Sequence, residues 1–370
     1  MKDKNGFTLV ELLAVIIILG ILSVLIVPKI TNTLNESEKK TNMASAQNLI
    51  KTAEYKIANN EVKGISENIT IDYTNNINTE LLDFSGKKPE KGKIQITTSG
   101  RISMAIKIED NCYIKTFESS EITMQAYDSE TCKASKSFAE DSWLDIKSNL
   151  MLDRNFYNIG DTKEAIIDGI SYTVRLANTE SCPNDWPQSA SQTTCGVVIE
   201  FVDVIQNENR LEFEMNSTRT NEGGWPASSM YTLVNTTIFN KLPNELKEII
   251  IDTQTVSGSG DEGTNFTSTD KLYLLSYVEI FGNNSTYDTV KLVSNSILDG
   301  TRELEYYRLS GDDSSARIKT KIDGTHQQWW LRSAYAPSQN AFGAISWGSY
   351  FGLTAESAAN GVAPAFRILD

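Results

Sequence analysis

The sequence predicts an α+β protein, in which a long N-terminal helix packs on an antiparallel sheet and a second α+β domain follows. Three observations support this class: an uncharged apolar run over 12–27 that continues as a helical stripe, alternating apolar residues over 94–108, and new strand and helix patterns after residue 139. A chain of 370 residues has room for about two domains of ~150 residues each.

The apolar run at the N-terminus is long enough to span a bilayer, which takes about 20 helical residues. Its only polar side chain between residues 12 and 27 is Ser23, and no small-residue cleavage site follows it. Glu11 stands at its front edge. An unpaired carboxylate in lipid costs at least ~2.5 kcal/mol, so Glu11 is a functional-site hypothesis that needs a partner.

The stretch Gly6-Phe7-Thr8-Leu9-Val10-Glu11 resembles the class III leader of a type IV prepilin. The resemblance implies that a prepilin peptidase cuts between Gly6 and Phe7 and that the new N-terminal Phe7 is methylated. It also implies that Glu11 neutralises the terminal amine of a neighbouring subunit during assembly, and that the helix kinks at Pro28. Residues 1–6 would then be the leader and 7–30 the transmembrane and filament-core helix.

A helical stripe continues beyond Pro28, from Ile30 and Leu34 through residues 46–57. Apolar residues then alternate with polar ones over 94–96 and 102–108, and a turn at 109–111 leads into a strand over 112–117. These patterns predict a helix on an antiparallel meander. Helix, meander and a cysteine-closed loop are similar to a pilin head domain, which we assign to residues 31–138.

The four cysteines form two local sets, Cys112 with Cys132 and Cys182 with Cys195. Exported proteins keep disulfides, and four cysteines allow three pairings. We favour local pairing, because each pair then closes one loop within one domain. No C-x-x-C occurs and the chain has a single histidine, so a cysteine-based metal site is disfavoured.

The second domain, residues 139–370, begins with a hairpin around Asp168-Gly169. A strand over 197–205 is predicted to pair with 211–215, and helical spacing covers 228–240 and 244–251.

Three motifs of this domain are similar to those of an uncharacterised bacterial exported domain: Gly-Trp-Pro-Ala-Ser at 224–228, Trp-Trp-Leu-Arg-Ser at 329–333 and Gly-Val-Ala-Pro-Ala-Phe at 361–366. That domain looks related to the C-type-lectin-like and formylglycine-generating-enzyme fold. It usually has arginine where Ala363 stands here. The cysteine chemistry of formylglycine-generating relatives is not implied, because no cysteine follows Cys195.

No nucleophile–base set is visible, and His326 stands alone in a polar stretch. We therefore expect no enzyme activity, no cofactor and no metal centre. The acidic pairs at 261–262 and 312–313 leave calcium open, although solvated loop charges are the favoured interpretation. A net charge of −14 argues against nucleic-acid binding.

Aromatic residues are dense near the C-terminus. Trp329 and Trp330 are expected to alternate across a strand, with at least one in the core. Trp347, Tyr350 and Phe351 stand among glycines and form the candidate ligand face, for a glycan or a surface protein.

Taken together, these patterns predict a type IV pilus subunit at a minor or tip position. It would be a membrane prepilin first and then part of an extracellular filament with other pilin subunits, displaying its second domain for adhesion or contact. The alternatives are a pseudopilin of a secretion or DNA-uptake machine, and an enzyme or binding protein merely anchored by the helix.

Overall fold

The structure is a computed structural model that describes residues 9–62, 69–97, 100–135, 137–183, 191–206, 212–258, 265–282, 302–335, 338 and 340–370. The chain divides into two units, Met1–Ala134 and Ser135–Asp370. The boundary expected from the sequence, after residue 138, lies close to this division. Helices and antiparallel sheets occur together, which confirms the α+β class.

Helix α1, Leu9–Val62, changes character at Asn42. The side chains described before Asn42 are exposed, the apolar run included. From Ala46 onward one face is buried, as the helical stripe predicts. Ile30 and Leu34, which we expected to begin that stripe, are exposed, because the apolar core of the unit starts only at Ala46.

The sheet of the first unit is an antiparallel meander in the order β1-β2-β3-β4-β5. Its strands are β1 (Ile69–Asp72), β2 (Lys91–Ile96), β3 (Ile102–Ile108), β4 (Asn111–Lys115) and β5 (Thr123–Ala126). The central three strands were predicted. The edge strand β5 was not, because all four of its residues are exposed and no apolar alternation marks it. Together, α1 and this sheet give the helix-on-meander arrangement expected of the first domain.

The second unit contains eleven strands and seven α-helices among the residues that the structure describes. The strands are β6 (Thr162–Ile167), β7 (Ile170–Asn178), β8 (Val197–Phe201), β9 (Thr253–Gly258), β10 (Asn265–Asp270), β11 (Lys319–Thr320), β12 (His326–Gln327), β13 (Trp329–Ala334), β14 (Ala341–Ser346), β15 (Ser349–Thr354) and β16 (Ala365–Leu369). The helices are α2 (Trp143–Leu152), α3 (Gly224–Ala227), α4 (Ser229–Thr232), α5 (Phe239–Lys241), α6 (Asn244–Ile249), α7 (Tyr277–Phe281) and α8 (Glu305–Ser310).

These strands form a four-stranded sheet, β16-β8-β7-β6, a three-stranded sheet, β13-β14-β15, and two small hairpins, β9-β10 and β11-β12. The hairpin expected around Asp168-Gly169 is present as β6 and β7. Single bridges link these strands to the segments around them, such as Trp329 of β13 with Gly361 and Ala365 of β16 with Tyr273. One continuous apolar core, from Phe138 to Ile368, fills the space between them.

Two sequence-based expectations for this unit were wrong or incomplete. The strand β8 pairs with β7 and β16 rather than with residues 211–215, of which Phe213 makes only a single bridge to Asn360. The helix expected over 228–240 is present, but its middle, Leu233–Ile238, is π-helical.

A buried charge cluster lies at the centre of the four-stranded sheet. Glu200 on β8 binds Arg175 Nε at 2.6 Å and Lys319 Nζ at 2.5 Å, and the Tyr307 hydroxyl donates to it at 2.9 Å. Burial alone would raise the pKa of Glu200, but Arg175 and Lys319 outweigh burial and lower it to about 2. Burial lowers the pKa of Lys319 to about 8, against the pull of Glu200.

We expect Glu200→Gln to lower the free energy of unfolding of the second unit by about 3–5 kcal/mol, because two buried cations lose their counter-charge. The control is Glu356→Gln in an exposed turn. Urea denaturation measures both. The lowered pKa of Glu200 gives stability that is present above about pH 4.5 and lost toward pH 2, a loss that the variant should lack. Equal stability of the two variants would contradict the role given to this cluster.

Candidate functional site

The N-terminal assembly site lies partly within the described residues. Gly6 and Phe7, the expected cleavage and methylation positions, lie outside them. Glu11 stands in the first described turn of α1, with an exposed side chain, and Pro28 is inside the helix. Proline removes one backbone hydrogen bond and favours a kink, so Pro28 is suitably placed for the role that the resemblance implies.

The apolar part of α1 is the one helix in the described chain long and apolar enough to cross a membrane, by length and composition. Its most apolar window has a mean hydropathy of 3.1 and is 0% buried within the chain. A core helix of a soluble protein would have its apolar residues covered. This segment therefore needs lipid or other protein around it.

The three aromatic residues of the candidate ligand face do not lie together on one surface. Tyr350 and Phe351 are successive residues of β15, so their side chains point to opposite faces of the sheet. Trp347 precedes that strand, in the turn that joins β14 to β15, and is 66% exposed. Of the three residues, only Trp347 presents most of its ring to solvent.

Tyr350 belongs to an internal aromatic cluster. Its ring packs edge-on against Tyr277, with 4.6 Å between centroids, and against Phe281 at 6.3 Å. It also lies over Gly343, where a Cβ would come within 2.5 Å of the tyrosine ring. The glycine therefore makes room for a packed ring, and Phe351 likewise packs against the core.

Trp347 adopts an unusual backbone conformation. With Gly348 it forms the two central residues of a tight hairpin turn, with φ angles of +50° and +76°. Such turns prefer Asn-Gly or Asp-Gly, and a bulky residue in the left-handed region costs roughly 1–2 kcal/mol. No other residue fits at the adjacent Gly348, because a Cβ there would lie 2.3 Å from the Ser314 carbonyl oxygen.

His326 holds Trp347 in this position. The two rings stack with 4.0 Å between centroids and 7° between planes. The backbone N–H of Trp347 donates to His326 Nε2 at 3.0 Å. The sequence offered no sign of this contact and gave His326 no role, because the two residues are 21 positions apart and on different hairpins.

The cysteines are linked as Cys112–Cys132 and Cys182–Cys195, with Cα–Cα distances of 5.7 and 4.6 Å. Each bridge closes a short segment within one unit. They staple loops and leave no free thiol among the described residues.

The acidic loop pairs do not form a metal centre in the described part of the chain, where no group of three metal-ligating side chains occurs. Asp313 instead accepts the backbone N–H of Ser315 and caps a short 3₁₀ helix, Ser314–Arg317. The pair at 261–262 lies outside the described residues.

The motif residues of the second unit are mostly internal. Trp329 and Trp330 are both 0% exposed, whereas the sequence required only one of them in the core. Arg332, from the same motif, makes a two-pronged bond to Glu279, with distances of 2.8 and 2.6 Å. Arg367 donates to the Cys195 carbonyl oxygen. These residues hold the fold together rather than facing a ligand.

Comparison with known proteins gives two matches. Residues 1–27 match the prokaryotic N-terminal methylation motif, and residues 202–369 match a domain of unknown function, DUF6273. No curated protein and no solved structure is significantly similar to the chain.

The methylation motif and the uncovered apolar helix support a type IV pilin-family or pseudopilin-like protein. The motif implies processing by a prepilin peptidase and assembly with other pilins, with insertion in the membrane as the first step. The second unit adds an uncharacterised domain to this class.

The different surroundings of Trp347 and Tyr350 lead to opposite expectations. Trp347→Asn restores the residue pair that this turn prefers, so the free energy of unfolding should change by less than about 0.5 kcal/mol. Tyr350→Ala removes a packed ring and should cost about 2–4 kcal/mol. Thermal and urea unfolding of both variants measure this difference. A large loss in Trp347→Asn would make Trp347 a structural residue.

Proposed function

We propose that this protein is a minor or tip subunit of a type IV filament and that its second unit contacts a neutral glycan on another surface. The observation that carries the proposal is the apolar half of α1, which is 0% buried within the chain and has Glu11 at its front. Such a helix can be covered by the apolar helices of other pilin subunits. Assembly through this helix would then bring the folded units of the chain into the filament.

Glu11 supports the assembly step on electrostatic grounds. A carboxylate inside a bundle of apolar helices is costly unless an opposite charge meets it. Cleavage before Phe7 would create a terminal amine at the same level of a neighbouring helix. Pairing of the two would set the axial position of each incoming subunit, because a shift along the helix would leave both charges unpaired.

The minor or tip position follows from size. The second unit has its own core and its own disulfide. A repeated subunit would have to accommodate this mass at every position along the filament. A subunit present in few copies, or at the end, avoids that crowding.

The contact role rests on Trp347. Its ring is exposed, and its backbone has an unfavourable left-handed conformation. Unfavourable backbone conformations that persist in a folded protein often mark functional sites. The turn around it contains Ser346, Gly348 and Ser349 and no charged group. One free aromatic face beside hydroxyl groups suits the apolar face of a neutral sugar ring, and the net charge of −14 disfavours anionic ligands. The resemblance to lectin-like folds favours the same ligand class.

The proposed role is non-enzymatic. In the described part of the second unit, the buried acids Glu200 and Glu279 are bound to Arg175 and Arg332 and are not open to a substrate.

The pseudopilin alternative uses the same N-terminal motif, and it predicts short periplasmic or wall-spanning assemblies rather than surface filaments.

Glu11→Gln tests the assembly step. The variant should be processed normally and should keep its folded units, because neither core includes residue 11. Its incorporation should fall at least about tenfold, since the incoming amine loses its counter-charge. The measurement is the ratio of this subunit in sheared filaments to that in the membrane fraction.

Two controls make this test specific. Intact mass of the membrane-derived protein should give a chain that begins at methylated Phe7 for both forms. Ser23→Ala, in the same helix, should assemble like the wild type. Normal incorporation of Glu11→Gln would remove its assigned role, and a chain that still begins at Met1 would contradict the processing step.

The position and the contact are tested together by electron microscopy of filaments labelled with antibodies to the second unit. Sparse or terminal labelling is expected, whereas uniform labelling would contradict the minor or tip position. Filaments with wild-type protein should bind arrays of neutral glycans, and those with Trp347→Asn should not. Equal binding by both would exclude Trp347 as the contact, and binding only to immobilised proteins would replace the glycan as ligand.

A further inference from the structure

The contact between His326 and Trp347 is specific to one protonation state of the histidine. Trp347 donates its backbone N–H to Nε2 of His326, so Nε2 must carry a lone pair. The imidazole is therefore neutral, with its hydrogen on Nδ1. A proton added at Nε2 would place two N–H groups opposite each other and remove this hydrogen bond.

The Trp347 turn is also held by the pairing of Ser346 with Ser349 and by the close approach of Gly348 to Ser314. The backbone of Trp347 is in the left-handed region, which a tryptophan adopts only when its surroundings enforce it. The hairpin register requires this conformation, and the contacts that hold the indole and the amide of Trp347 in it are the stacked imidazole ring and the Nε2 acceptor. Both come from His326, at the start of β12.

We propose that His326 is the positioning residue of the Trp347 contact surface and that it holds the indole in place only while its imidazole is neutral. The surface would then be available near neutral pH and released in acid. This consequence for binding rests on the contact role proposed above, whereas the coupling between the two rings does not.

Most of the charged groups on the elements next to His326 make contacts of their own. On the β11–β12 hairpin, Lys319 binds Glu200 and Asp323 accepts from Thr325, and Lys321 stands in the turn. From the 3₁₀ helix, Arg317 donates to the Gly311 carbonyl oxygen and Asp313 caps Ser315. The strands β14 and β15 carry no charged residue.

Burial lowers the pKa of His326, so the folded protein takes up the proton at a lower pH than the unfolded chain does. Stability therefore falls as the pH decreases below about 6.5, and the neutral form prevails above it. The lowered pKa of His326 agrees with a contact that is intact at neutral pH.

The chain is unusually well suited to a direct test, because His326 is its only histidine. Full-length protein in detergent, without a histidine tag and labelled with ¹³C and ¹⁵N in histidine and ¹⁵N in tryptophan, gives one imidazole to titrate. We expect the Nδ1-protonated tautomer at pH 7.5. The Trp347 amide signal, assigned by its loss in Trp347→Asn, should shift with the same midpoint as the imidazole.

Two variants separate the acceptor from the ring. His326→Gln provides a non-titrating acceptor, so the pH dependence of the Trp347 amide should disappear. His326→Phe keeps a ring without an acceptor, and the amide should show at all pH values the shift that the wild type reaches only in acid. Acrylamide quenching of the fluorescence that Trp347→Asn lacks should follow the same pattern.

The proposal is overturned if the hydrogen is on Nε2 at neutral pH, if the Trp347 amide does not follow the imidazole, or if His326→Gln retains the wild-type pH profile. Glycan-array binding at pH 7.5 and pH 5 then tests the consequence, with loss expected in acid. If the rings are coupled but no glycan binds at either pH, the proposed contact is wrong and the positioning role of His326 stands.

Discussion

The apolar surface of α1 between Leu9 and Leu34 is the constraint on which the rest of this protein depends, because no part of the chain that the structure describes covers it. Exposure of this surface to water would cost roughly 25 cal/mol of free energy for each Å² of apolar area. The remainder of the chain must therefore fold without help from this segment. Both cores obey that rule: one begins at Ala46 and the other at Phe138. Glu11 is the single acidic residue within this apolar stretch, and a positive charge nearby would stabilise it wherever other apolar helices surround it.

The second unit has a large core that contains buried charged residues. Arg175, Lys319 and Arg332 are buried, and each of them meets a buried carboxylate. Replacement of such pairs by apolar residues often leaves stability unchanged or improves it, but removal of one partner is costly. The Trp-Trp-Leu-Arg-Ser motif is thus explained by packing and charge pairing. The exposed Trp347 has no such explanation, which is why the functional argument concentrates there.

The sequence predicted helices and strands correctly where buried and exposed residues alternate along a short stretch of chain. Periodicity located the buried half of α1, the strands β2 to β4 and the hairpin β6–β7, since both partners of each contact are near in the chain. The sequence also indicated the strand β8 but gave it the wrong partner, because β8 is buried along its whole length and pairs with β16, far along the sequence. It also grouped Trp347 with Tyr350 and Phe351, because aromatic density alone does not distinguish a turn from a strand. His326 received no role, as a stacked pair from two hairpins leaves no local pattern.

The pairing of β16 with β8 has a consequence for the timing of biogenesis. Strand β8 lies between β7 and β16, so its second edge is unpaired until Leu369 has emerged. Arg367 on β16 also binds the carbonyl of Cys195, next to the second disulfide. In a chain exported from its N-terminal membrane helix towards its C-terminus, this sheet would therefore be completed last. The segment that carries the second disulfide would cross the membrane before the strand that completes the sheet around it.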